Sequence, residues 1–240
     1  MEKNKQGKRE ARDRKPRGQN RFPKIRGVIA AAIVVAGGLI ALSYWSATRS
    51  QDLSPPSIQV GHTSGDLAKG SPDAPVTVIE FSDFQCPHCA NFTLNTAPQL
   101  ETYINTGKVR WVFRNFPFLG EGSVRAAEAA MCAHEQGTFW AYHDRLFHRA
   151  AIRRRGAFDE QALKRLAEEL QLDTQMFNNC LGTRRYTDQV QEQFREGQRL
   201  GVQGTPTFFI NGRITAGDLP LSTFREILEA ELANAERESF

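Results

Sequence analysis

Cys86-Pro87-His88-Cys89 sets two thiols three positions apart, about one helical turn, with a proline and a histidine between them. Such a pair can exchange disulfides, hold a metal or form a structural bridge. Position favours exchange. Pro75-Val76-Thr77-Val78-Ile79-Glu80-Phe81 precedes it with the β-branched and aromatic content of a strand, and a helical stretch to about Thr106 follows. Cys86 then falls at a helix N-terminus, where backbone N–H groups and the helix dipole favour an anion. Pro87 suits the first helical turn because it lacks an N–H that would go unsatisfied. A thiol so placed has its pKa lowered into the range of about 3.5–7.5, and His88 is expected to lower it further. A stabilised thiolate favours the reduced form, which makes the disulfide form a strong oxidant. Cys89 is the less exposed, resolving thiol. Zinc would require two further ligands. Cys132 and His134 are the nearest candidates, and no metal or cofactor is expected.

The chain has 240 residues and a net charge of +4, but that charge is unevenly placed. Residues 1–26 carry eleven Lys or Arg against three acids, and the remainder is net −4. Nucleic-acid binding by the folded part is therefore not expected. Residues 27–48 carry no charge and centre on Val28-Ile29-Ala30-Ala31-Ala32-Ile33-Val34-Val35-Ala36. As a helix they span about 33 Å, enough for a bilayer core of about 30 Å. Tyr44 and Trp45 suit one interface, and the basic tail predicts a cytoplasmic N-terminus. The competing reading is a cleaved signal peptide, since Ala41-Leu42-Ser43 is a passable cleavage site. Residues 49–72, with Ser54-Pro55-Pro56-Ser57, read as a linker. A domain over 73–240 follows, and its thiols lie outside the cytoplasm.

Val109-Arg110-Trp111-Val112-Phe113-Arg114 is a second strand, so strand, helix and strand form a βαβ unit with a parallel pair. About 117–200 turns helical, with apolar spacings of three and four such as Leu163, Leu166 and Leu170. Thr207-Phe208-Phe209-Ile210 then runs into Asn211-Gly212, a hairpin signal. A closing helix covers about 221–236, with Leu221, Phe224, Leu228 and Leu232 inward. The result is an α/β fold with a small mixed sheet and a helical insertion.

Glu80-Phe81-Ser82-Asp83-Phe84-Gln85-Cys86-Pro87-His88-Cys89, with Gly204-Thr205-Pro206-Thr207-Phe208-Phe209 downstream, resembles the DsbA-type thioredoxin-fold oxidoreductases, in their membrane-anchored or secreted bacterial branch. The resemblance runs from about 60 to 236. It implies a thioredoxin fold with an inserted helical domain. It implies that Pro206 is cis and faces the cysteine pair, and that Thr205 offers backbone groups to an extended substrate. It also assigns Glu80 as a buried acid beneath the active site, a proton acceptor for Cys89 with a raised pKa. The alternative for Glu80 is a partly exposed carboxylate at a strand end. The implied activity is oxidation of reduced exported proteins by a monomer, with reoxidation by a membrane quinone-linked partner. A reductase or isomerase of the same fold is the alternative, and a non-catalytic binding module is disfavoured by the intact cysteines.

Cys132 and Cys180 both lie on apolar helical faces. Outside the cytoplasm they are expected to join and staple the helical insertion. The alternative is two buried thiols. His62, His134, His143 and His148 read as capping, core or surface groups, and Arg153-Arg154-Arg155 as a solvated loop.

Overall fold

The computed structural model describes residues 67–152 and 158–238. The basic tail, the uncharged stretch 27–48, most of the segment read as a linker, and Arg153-Arg154-Arg155 lie outside the described residues. Among the described residues no helix is long and apolar enough to cross a membrane.

A five-stranded sheet runs in the order β1-β3-β2-β4-β5. Its strands are β1 (Leu67–Lys69), β2 (Val76–Ser82), β3 (Val109–Asn115), β4 (Thr207–Ile210) and β5 (Arg213–Ala216). Strands β2 and β3 are parallel, and every other pairing is antiparallel. The sheet is thus mixed, as the sequence predicts. Strand β1 is a correction: it lies inside 49–72 and pairs Leu67 with Phe113 on the outer edge of β3. Three residues are too few to show a period of two, so their strand state depends on the β3 edge they complete.

Asn211 and Gly212 close the β4–β5 hairpin with φ of 45° and 82°. Left-handed values at both positions are what a two-residue turn requires and what Asn-Gly supplies.

The stretch after Cys86 is not one regular helix. It runs as α1 (Pro87–Asn91), a π segment (Phe92–Thr96), a 3₁₀ turn (Ala97–Leu100) and α2 (Glu101–Asn105). Pro98 has no N–H for the ladder and sits in the first turn of the 3₁₀ piece, where none is needed. The insertion comprises α3 (Glu121–His134), α4 (Phe139–Ile152), α5 (Glu160–Glu169), α6 (Thr174–Gly182) and α7 (Thr187–Arg199). Helix α8 (Leu221–Glu238) closes the chain. Asp159 caps α5, its carboxylate accepting the Ala162 N–H at 2.7 Å.

Alternation along β2 sends residues to two faces. Val76 and Val78 join Phe92, Trp111, Phe208, Phe224 and Leu228 on one side. Ile79 and Phe81 join Val112, Phe116 and Phe209 on the other. A third core holds the cysteine pair against α3 and α4, with Phe84, Phe113, Met131 and Phe147. Glu80 follows the parity of Val76 and Val78, so a carboxyl stands where the pattern calls for an apolar residue.

The insertion is tied by a disulfide between Cys132 and Cys180, across 48 positions of sequence, with Cα atoms 5.8 Å apart. It joins α3 to α6. Beside it the buried Glu128 carboxylate takes hydrogen bonds from Arg125, Arg184 and Thr187. That set satisfies a charge which alone would be costly to bury.

Candidate active site

Cys86 is the N-cap of α1, with φ −73° and ψ 121°, and Pro87 occupies the first helical position. Its amide donates to the Asp83 carbonyl at 2.9 Å, and its own carbonyl accepts from Ala90. The turn between β2 and α1 is thereby closed around the sulfur. Pro87 and His88 are exposed, whereas Cys86 is 4% exposed and Cys89 is fully buried.

The two thiols differ sharply. Hydrogen bonding from the Cys89 thiol lowers the Cys86 pKa to about 6, against the opposing effect of burial, and the Thr205 hydroxyl and the Cys89 and His88 backbone N–H groups add to it. His88, an exposed residue, acts on Cys86 through its backbone N–H. Cys89 is pushed well above its ordinary value by burial and then by its neighbour Cys86. One sulfur is therefore a ready thiolate and the other holds its proton.

Thr205 and Pro206 lie 119 and 120 positions beyond Cys86, yet the Cys86 sulfur meets the Thr205 carbonyl at 3.3 Å. The Thr205–Pro206 peptide is cis. The turn before β4 is braced by the Thr207 hydroxyl, which donates to the Gly204 carbonyl at 2.7 Å.

Glu80 is 3% exposed, which excludes the strand-end alternative. Its Oε2 accepts the Trp111 indole N–H at 3.0 Å, and its Oε1 has no hydrogen-bond partner among the described residues. Burial pushes the carboxyl above its usual range; the charge of His143, the hydrogen bond from Trp111, the nearby Ser82 hydroxyl and Lys69 pull the other way. The Ser82 hydroxyl lies beside both Glu80 and the Cys89 sulfur and favours the charged form of each, without closing a full hydrogen bond to either.

The placement of Asp83 escapes the sequence, and His143 takes the core position among the readings open to it. Asp83 is 1% exposed, and its carboxylate accepts from the Gln85, Phe118 and Leu119 amides at 2.8, 2.9 and 3.0 Å. It pins the loop after β3 against the cysteine turn and leaves Phe118 and Leu119 exposed beside it. His143 is 4% exposed within an aromatic cage of Phe84, Phe113, Phe139, Trp140 and Phe147. Nothing in the local sequence separates Asp83 from a surface turn acid.

Cys132 is joined to Cys180 and so is not available to the zinc alternative. Among the described residues no group of His, Cys, Asp or Glu is arranged to hold a metal ion.

Comparison with known proteins agrees with this geometry. The sequence profile of the thioredoxin family matches residues 62–230. The chain is 32% identical over 168 residues to a probable disulfide bond formation protein D of Bacillus anthracis, covering 68% of this chain and 76% of that protein. The crystal structure of oxidised BdbD from Bacillus subtilis superposes with a TM-score of 0.66 at 28% identity, over 70% of this chain and 94% of that one. Wolbachia pipientis alpha-DsbA1 gives 0.68 at 25% identity, over 75% and 98%. With its differentiated thiol pair facing a cis Thr-Pro turn, the chain belongs to the thioredoxin family as a DsbA-like thiol–disulfide oxidoreductase.

Proposed function

We propose that this oxidoreductase works as a dithiol oxidant outside the cytoplasm, introducing disulfides into exported proteins. The carrying observation is the placement of Cys86 beside the buried Cys89 thiol, at the N-terminus of α1 and 3.3 Å from the Thr205 carbonyl, which holds its pKa down to about 6. A reduced form stabilised in this way makes the Cys86–Cys89 disulfide easy to reduce, hence oxidising.

The geometry supports the following steps. A substrate thiolate attacks Cys86, the more accessible sulfur of the disulfide, and Cys89 departs carrying the electron pair. Cys89 then takes up a proton, and protonated Glu80, nearby through Ser82, is its source. A second substrate thiolate attacks the substrate sulfur of the mixed disulfide. Cys86 leaves as the stabilised thiolate, and the substrate's two thiols have become one disulfide. During this exchange Thr205 lines the extended substrate segment, and exposed Phe118 and Leu119 give apolar contact to an unfolded chain.

The Cys132–Cys180 bridge supports an oxidising compartment, where such bonds persist. The relatives named for disulfide bond formation support the same direction. Residues 27–48 serve as a membrane anchor in this reading, and a membrane quinone-linked thiol oxidase restores the disulfide. Residues 1–26 stay cytoplasmic, and the protein acts as a monomer.

The test is oxidation of a reduced two-cysteine peptide by the oxidised full-length protein. Cys86→Ala and Cys89→Ala are both expected to abolish it, since neither can form the Cys86–Cys89 disulfide, and reduced Cys89→Ala is expected to form a mixed disulfide at Cys86 when offered the peptide in its disulfide form. Undiminished oxidation by the Cys86→Ala variant would remove the mechanism.

A further inference from the structure

Glu80 is 3% exposed, so a proton it exchanges with Cys89 reaches solvent only through the space that the carboxyl lines. A cavity of about 290 Å³ adjoins it, with a lining that includes buried Glu80 and His143 and exposed Asp144 and His148. One water takes up about 30 Å³, so the space accommodates several, provided polar partners are present. They are: Glu80 Oε1 and His143 Nε2 are both buried without a hydrogen-bond partner among the described residues. The other ring nitrogen, Nδ1, lies 2.8 Å from the Asp144 carboxylate, whose side chain is 61% exposed. The histidine therefore has one nitrogen committed to the surface and one left for the interior.

We propose that Ser82, Glu80 and His143 form a proton path that joins the Cys89 sulfur to the Asp144 carboxylate at the surface. This rests on the reading of Glu80 as the Cys89 proton partner. When Cys89 departs as a thiolate, Glu80 gives up its proton by way of the Ser82 hydroxyl. Water in the cavity passes a proton from His143 Nε2 to Glu80, and His143 is reprotonated at Nδ1 from solvent along Asp144. Reoxidation runs the same path outward. No electrons move along it, and each site ends the cycle as it began. Imidazole suits the middle position because it can accept at one nitrogen while donating at the other. The other charged groups lining the cavity are Lys69 of β1 and Glu101 of α2, which pair with each other, and His148 of α4. Lys69 also lies 4.7 Å from the centre of the Trp140 ring, so its ammonium is held in place.

The test uses the oxidised full-length protein and its single-turnover reduction by dithiothreitol, followed from pH 5 to 9 in light and heavy water. His143→Gln and Asp144→Asn are expected to slow the proton-coupled phase, by about tenfold and a few-fold, and to enlarge its solvent isotope effect. Added imidazole should restore much of the His143→Gln rate, while the equilibrium reduction potential stays unchanged. Rates equal to the parent in both variants would overturn the path. So would a loss in His143→Gln that imidazole does not restore, because that is the mark of a packing defect. Asp144, being exposed, keeps the test open should His143→Gln fold poorly. Glu80→Gln separates the two levels: an unchanged rate there removes the Glu80 reading itself, while a slowed Glu80→Gln beside parent-like His143→Gln and Asp144→Asn removes only the exit path.

Discussion

The Cys86 sulfur lies 3.3 Å from the carbonyl oxygen of Thr205, so two segments 119 positions apart meet at the reacting atom. The β2–α1 turn supplies the sulfur that exchanges, and the turn entering β4 stands directly against it. Strand pairing between β2 and β4, Phe81 against Thr207, sets that distance.

The Cys86 thiolate should be visible by its ultraviolet absorbance, titrating with a midpoint near pH 6 in the reduced protein. The largest cause of the depression is the Cys89 thiol. Cys89→Ala should move the midpoint up by about one unit, the worth of one charge-assisted hydrogen bond. The folded value lies below the ordinary 9.0, so ionisation stabilises the reduced fold fully above pH 9, and the contribution fades as pH falls to about 6. A midpoint near the ordinary thiol value would contradict the site as described.

Glu80 has the opposite sign. Its folded pKa is raised above the ordinary 4.5, so its favourable contribution is complete below that pH and is lost as pH rises through the folded value. Glu80→Gln should therefore raise stability toward reagent denaturation at pH 8 and change it little at pH 4. Denaturant midpoints at the two pH values check this, and a variant less stable at pH 8 would count against a buried, desolvated acid.

Opening the Cys132–Cys180 loop should cost up to about 4 kcal/mol of stability by the chain-entropy argument. The Cys132→Ala/Cys180→Ala double variant is expected to show a clearly lower denaturant midpoint, yet to keep the reduction potential of the Cys86–Cys89 pair. A shifted potential would mean that the staple reaches the redox centre.

Asp83→Ala leaves the Phe118 and Leu119 amides without their acceptor and should destabilise by at least about 2 kcal/mol. Because those amides anchor the loop beside Cys86, peptide oxidation should slow as well. Amide hydrogen exchange at 118 and 119 checks the first effect, and unchanged protection there would show that the clamp is not what orders the loop.

Much of this was legible from local chemistry. The Cys86-Pro87-His88-Cys89 segment, the apolar runs of β2 and β3 and the Asn211-Gly212 turn each carry their own signal within a few residues. Glu80 stood out because a carboxylate interrupts an apolar strand. What escaped depends on distant partners. Leu67–Lys69 becomes a strand only by pairing with Trp111–Phe113. Asp83 acquires its clamp from amides 35 and 36 positions away. His143 is paired with Glu80 by a cavity between α4 and the sheet, and no spacing rule relates the two.

If the Cys86–Cys89 disulfide is an oxidant, its reduction potential must say so. Oxidised full-length protein should be equilibrated with glutathione redox buffers at pH 7 and the thiol content read at each ratio. The expected value lies far above the about −270 mV of thioredoxin, toward the about −120 mV of the strongest dithiol oxidants. A potential near that of thioredoxin would contradict the oxidant reading and assign the protein to reduction instead.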